Sequence, residues 1–168
     1  MTEQRIGLGV DVHRFSEAAA GDAPHRTLVL GGVAFPGETP LEGHSDADAV
    51  AHAVADAILG AAGLGDLGSH FPDTDDAWRG ADSLAILASC AASAAELGWR
   101  LVNADCTVVT ERPRLAGARA EMVARLSAAA GGPVHVKATR PERLGTLGRV
   151  EGLACLAVAL LEREAPGS

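Results

Sequence analysis

Residues 43–61 read GHSDADAVAHAVADAILGA, and the rest of the chain is organised around them. Ser45, followed three residues later by Asp48, has the Ser-x-x-Asp form of a capping box, which predicts a helix start near Asp46. Alanine, the best helix former, dominates the residues after it, and Gly60 and Gly63 mark the end. At about 3.6 residues per turn, Val50, Val54 and Ile58 share one face, while Asp48, His52 and Asp56 share the opposite one. Two readings of that polar face stay open. It is either a solvated acidic surface with a stray histidine or an imidazole ligand oriented by carboxylates one turn away.

The 168 residues are the length of one domain, 1–168, with 48% hydrophobic and 21% charged residues and no apolar run long enough to span a bilayer. A soluble protein with no membrane partner is expected. The N-terminal MTEQRIGLGVD lacks a secretory pattern, which makes a cytoplasmic location the default. A formal charge of −8 excludes a general nucleic-acid binder, so an anionic ligand would need local cations. Cys90, Cys106 and Cys155 lie among small or apolar residues and read as buried and reduced.

Upstream, residues 5–13 alternate Ile6, Leu8, Val10 and Val12 against Gly7, Gly9, Asp11 and His13, a strand pattern that puts Asp11 and His13 on one face. Residues 14–26 read as a surface loop, and 27–35 as a hairpin broken at Gly31 and Gly32. Downstream, residues 64–76 are rich in Asp and Gly and read as loop, followed by a helix over 80–97. A strand over 99–111, a helix over 115–130 and a strand over 133–138 come next. Periodicity leaves the apolar tail, 150–161, either strand or helix.

Asp11, His13 and His52 together offer one carboxylate and two imidazoles. That set suits zinc with a free fourth position, and iron or manganese accept the same ligand types. His25, His70 and His135 match no ligand set, and Trp78 and Trp99 read as packing anchors.

The order GVDVHRF (9–15), GHSDADAVAHA (43–53), GDLGSHFPDTD (65–75), GADS (80–83), NADCT (103–107), PRL (113–115), KAT (137–139) and ERLGxxGRxEGLA (from Glu142) resembles the 2-C-methyl-D-erythritol 2,4-cyclodiphosphate synthase family. The resemblance implies an α+β fold, a small mixed β-sheet packed on helices, with the tail as a strand. It also implies a homotrimer with active sites at the subunit interfaces. The implied reaction is metal-assisted: the 2-phosphate of 4-diphosphocytidyl-2-C-methyl-D-erythritol 2-phosphate attacks the β-phosphate, and CMP leaves.

By the same resemblance, Asp11, His13 and His52 hold zinc, and Glu142 helps hold magnesium or manganese on the substrate diphosphate. His44 and Ser45 bind phosphate, with the following helix N-terminus behind them. Asp66, Leu67 and Gly68 contact the sugar, and Phe71, Asp73 and Asp75 belong to the closing loop. Thr110, Arg112, Pro113, Arg114 and Leu115 form the cytidine pocket, Thr139 serves in catalysis beside His44, and Arg149 binds phosphate near the trimer axis. The chain departs from the pattern at Arg140, which stands where the family has a threonine hydroxyl. Arg140 either takes over transition-state stabilisation through its guanidinium or leaves that role to Thr139. Val10, Thr146 and Leu156 replace residues that shape an axial isoprenoid-diphosphate site in some members. The same metal set would also serve a nucleotide-diphosphate hydrolase or a non-catalytic, metal-stabilised trimer.

Overall fold

The computed structural model describes residues 1–17, 27–72, 74 and 78–165. The alternating N-terminal segment forms β1 (Thr2–Arg14). The expected hairpin comes next as β2 (Leu28–Leu30) and β3 (Val33–Phe35), turning through Gly31 and Gly32, both at positive φ. Most of the loop expected over 14–26, with His25, lies outside the described residues.

The central helix, α1, runs Ala49–Ala62 and stops at Gly63, which takes the left-handed conformation that glycine tolerates. Its start corrects the expectation of a helix from Asp46. Ala47 has φ +60°, which no helix accommodates, so α1 can begin only beyond it. Asp48 is therefore the N-cap itself, accepting from the backbone N–H of Val50 (3.1 Å) and Ala51 (3.2 Å). Ser45 closes a local turn instead, its Oγ accepting from Ala47 N–H at 3.1 Å.

After α1, Asp66 caps a single helical turn, α2 (Leu67–His70), inside the stretch expected to be all loop. The side chain accepts from Ser69 N–H at 2.8 Å, enough to turn the backbone where composition alone suggests none. Then come α3 (Ser83–Glu96), β4 (Arg100–Val109), α4 (Arg119–Ala130), β5 (Val134–Thr139), the one-turn α5 (Gly145–Gly148) and β6 (Gly152–Glu164). The apolar tail is thus the strand β6, as the family resemblance implied. All three cysteines are buried and free.

The sheet has the order β1-β6-β4-β5, with β4 and β5 parallel and the other pairs antiparallel. Its rungs align Asp11 with Cys155, Val108 and Ala138, and Val12 with Ala154, Val109 and Thr139. Helices cover one face: α1 packs on β1 and β6, α3 on α1, and α4 on α3 and β5. The buried side chains form one continuous core that includes both sides of α1.

Gly7 and Gly9 allow α1 to come so close. A Cβ on Gly7 would lie 2.0 Å from the Ala57 carbonyl oxygen, and one on Gly9 2.0 Å from that of Ala53. The period of two then turns Ile6, Leu8, Val10 and Val12 to the opposite face, where they are 52–72% exposed. With Leu156 and Val158 of the neighbouring β6 they make an apolar stripe on the open side of the sheet.

Replacing Gly9 by Ala should force α1 off β1 and cost about 3 kcal/mol or more, the upper range for overpacking. Urea unfolding measures this, and a loss under about 1 kcal/mol would contradict the close packing.

Candidate functional site

The glycine-mediated contact sets the first turn of α1 against the end of β1, where Asp11 and His13 project from the same face as Gly7 and Gly9. Asp11 Oδ2 stands 3.1 Å from His13 Nε2 and 3.2 Å from His52 Nδ1. The two imidazole centroids are 5.8 Å apart. Among the described residues these three form a group able to hold a metal ion, one donor atom from each lying within 4.8 Å of the others.

The hydrogen bond on the far side of His13 tests whether the set fits a cation. His13 Nδ1 lies 2.6 Å from the Glu42 carbonyl oxygen, which can only accept, so Nδ1 carries the proton. The Nε2 lone pair of the neutral ring then points at a carboxylate oxygen. Two electron-rich atoms in that geometry need a proton or a cation between them, and a divalent ion satisfies the whole set.

The electrostatics agree. Burial pushes the Asp11 carboxyl up, but contacts with His13 and His52 outweigh it and hold the group well below the usual carboxylate range. Burial pulls His13 down, and Asp11 more than reverses that, so its pKa stands above the ordinary value.

The acidic face expected around His52 is not what surrounds it. Asp48 is fully buried at the N-cap, where it also accepts from Gly31 N–H (2.8 Å) and Gly32 N–H (2.6 Å) and so ties the hairpin to α1. Asp48 thereby takes the N–H groups of Val50 and Ala51 at the start of α1. Asp56 accepts from Leu67 N–H at 3.1 Å and positions α2. The carboxylate that meets His52 is Asp11, forty-one residues away.

His44, Leu67 and Phe71 join His13, Ser45 and His52 around a 160 Å³ cavity that is also walled by Trp78. Phe71 and Trp78 meet edge to face at 4.8 Å. Asp66 and Gly68 flank Leu67 on α2, and Asp73 and Asp75 lie outside the described residues.

A second group of expected residues gathers at the other edge of the sheet. Arg112, Pro113, Arg114 and Arg140 line a 630 Å³ cavity with Phe35 and Glu38 of the hairpin region. An adjoining 340 Å³ cavity shares Arg114 and Arg140 and adds Thr110, Leu115 and Thr139. Thr110 is buried, its Oγ1 accepting from Arg112 N–H at 3.2 Å and donating to the Arg112 carbonyl. Glu142 and Arg149 are exposed on either side of α5, and Arg149 pairs with Glu151 at 2.6 Å. Thr139 shares a rung with Val12 three strands away, so one chain holds the two groups roughly 14 Å apart at the same end of its sheet.

A model of the YgbB family matches residues 4–162. The chain belongs to the YgbB family. Membership bears out the resemblance read from the motifs. A bifunctional enzyme IspD/IspF of Anaeromyxobacter dehalogenans is 56% identical over 162 residues, which is 95% of this chain but only 40% of that relative's length. The 2-C-methyl-D-erythritol 2,4-cyclodiphosphate synthase of Rubrobacter xylanophilus is 53% identical over 95% of both chains. Among solved structures, the CDP complex of Plasmodium falciparum IspF superposes with a TM-score of 0.80 at 27% identity, covering 96% of this chain and 97% of that one.

Within this YgbB chain, sequence reasoning missed Ser83, whose Oγ lies 2.8 Å from His52 Nε2. Its segment, GADS, carries the family resemblance, yet no spacing rule links a serine to a histidine thirty-one residues earlier.

The raised His13 value fixes a sign. Stability from the His13–Asp11 pair in the ion-free protein is fully present below the ordinary histidine pKa of about 6.5 and is lost as pH rises through the raised one. A divalent ion must displace that proton, so zinc affinity in chelator competition should rise with pH by up to about tenfold per unit, then level off above the His13 value. A pH-independent affinity would show that no proton is displaced.

Proposed function

We propose that the chain is a cyclodiphosphate synthase unit, a single domain over residues 1–168. It converts 4-diphosphocytidyl-2-C-methyl-D-erythritol 2-phosphate to 2-C-methyl-D-erythritol 2,4-cyclodiphosphate and CMP in isoprenoid biosynthesis. The observation that carries this reading is the convergence of Asp11, His13 and His52 on one point beside the His44 cavity, with an arginine-bearing pocket at the same end of the sheet. The relatives named as synthases support it.

In this proposal the triad holds zinc, and Glu142 helps hold magnesium or manganese on the diphosphate. Bound there, the ions supply positive charge where the phosphate oxygens gain negative charge. The rest of the task is positioning two anions for attack. His44 and Ser45 hold the phosphates, Asp66 and Gly68 the sugar hydroxyls, and Leu67 and Phe71 the methylerythritol carbons. Asp73 and Asp75 belong to the closing loop. Thr110 to Leu115 take the cytidine, with Arg112 and Arg114 near its phosphates, and Arg149 binds phosphate. Thr139 and Arg140 face the diphosphate, Arg140 supplying a charged donor where the family pattern has a hydroxyl. The 2-phosphate oxygen bonds to the β-phosphorus, the bond to the α-phosphate breaks, and CMP leaves. The P–O bond cleavage without water makes this a lyase.

By the family resemblance the assembly is a homotrimer, and the two groups at opposite sheet edges fit an arrangement in which the β1 edge of one copy meets the β5 edge of the next, closing interface active sites. Head-to-tail contacts of that kind close into rings. The exposed stripe of Ile6, Leu8, Val10, Val12, Leu156 and Val158 would be covered by the same assembly. The proposed setting is cytoplasmic.

Phosphorus NMR of the protein with zinc, magnesium and the substrate should show a cyclic diphosphate with CMP. A linear phosphate product would mean hydrolysis, and no turnover would mean a binding protein. Arg140→Ala should lower kcat about tenfold to a hundredfold, the loss of one charged hydrogen bond of about 1.5–3 kcal/mol. An unchanged kcat would leave the role to Thr139.

A further inference from the structure

We infer that Glu111 is a positioning residue for Glu142: its carboxylate holds residues 142 and 143 in a left-handed turn and so fixes where the Glu142 side chain leaves the backbone. For its purpose this rests on the reading of Glu142 as an ion ligand, but it is carried by the geometry of the turn alone.

The turn spans Pro141 to Leu144, with the Leu144 N–H donating to the Pro141 carbonyl at 2.9 Å. Both of its central residues lie at positive φ, +51° for Glu142 and +61° for Arg143. That is the mirror-image kind of tight turn, which asparagine and glycine favour because a β-carbon crowds the backbone there. Glutamate and arginine gain nothing from it locally. Among the described residues no other two consecutive non-glycine residues share that conformation. Such a pair persists only where the surroundings hold it.

What holds it is Glu111, whose Oε1 accepts from the Arg143 N–H at 2.8 Å across thirty-two residues of chain. The turn itself employs only the Leu144 N–H, and the Arg143 N–H is left for an outside acceptor. Glu111 is fixed by its own neighbours. Thr110 N–H donates to the Thr139 carbonyl at 3.1 Å, and the buried Thr110 hydroxyl bonds both the N–H and the carbonyl of Arg112. On the far side of the turn Gly148 lets α5 close against it, since a Cβ there would lie 2.1 Å from the Arg143 carbonyl carbon. Glu111 also borders both of the arginine-lined cavities. One carboxylate thus ties the loop read as the cytidine site to the turn that carries Glu142. Removing a group that orients a ligating side chain typically lowers metal affinity about tenfold to a hundredfold.

The first measurement needs no ion. In the metal-free full chain, amide hydrogen exchange and the strong Hα–HN NOE within a residue that marks positive φ should show Arg143 protected and left-handed. Glu111→Ala should release both, and with zinc saturating it should raise the magnesium concentration for half-maximal turnover by about tenfold to a hundredfold. Glu111→Gln, which keeps an acceptor oxygen, should restore the protection and the magnesium response. Arg143→Gly in the Glu111→Ala protein should recover most of the magnesium response, because glycine takes the turn without a tie. A carboxylate that acted only by touching the cytidine would not be replaced in this way. An unprotected Arg143 amide in the wild type overturns the inference. So does a Glu111→Ala protein with wild-type exchange and magnesium requirement, or one that glycine does not rescue. Glu142→Gln with the wild-type magnesium requirement would instead overturn the reading of Glu142 as an ion ligand.

Discussion

The contact on which the rest of the structure depends is the meeting of two backbones, β1 at Gly7 and Gly9 with α1 at Ala57 and Ala53. Two residues of strand advance about 6.7 Å and four residues of helix about 6 Å, so the elements stay in step as they run past each other. Gly7 meets Ala57 and Gly9 meets Ala53, and the next step brings Asp11 to the first turn of α1, where His52 stands. Side chains larger than hydrogen at the two glycines would lift the helix and separate the ligands. The chemistry of the site is therefore decided several ångströms away, by atoms that take no part in it.

Around that contact, polar groups act as ties between elements. Asp48 joins α1 to the β2–β3 turn, Asp56 joins α1 to α2, and Asp46 joins the approach to α1 with the start of α3. Each carboxylate answers backbone N–H groups that would otherwise be left without a partner. α1 is buried over most of its surface, and only His52, Asp56 and Gly60 reach the boundary of the core.

How much of this was legible in the sequence depends on the range of the interaction. Asp11 and His13 share a face because a strand has a period of two, and that much is local. Most elements were legible for the same reason, including the hairpin at Gly31 and Gly32. Local signals failed where a distant partner decided the outcome. Ser45 and Asp48 have the spacing of a capping box, yet the left-handed Ala47 moves the cap to Asp48, and the buried hairpin turn supplies two of its donors. Asp48 and Asp56 looked like partners of His52 because helical spacing stacks them, whereas burial of both helix faces sends them elsewhere. Ser83 gave no signal of its own, and the tail became a strand by resemblance, since an apolar run has no period to read.

The glycines also decide which way β1 pairs with β6 along thirteen matched residues, from Thr2 opposite Glu164 to Arg14 opposite Gly152. A slip of one residue would turn Ile6, Leu8, Val10 and Val12 inward and send Asp11 and His13 to the open side. Hydrophobic burial alone would favour the slipped pairing in a lone chain, by about 1.5–3 kcal/mol for each large side chain taken from water. That alternative fails on steric grounds, because branched side chains beneath α1 would hold it away from the sheet and open the core. The steric exclusion that selects the ladder's alignment thereby also selects the face on which the ligands stand.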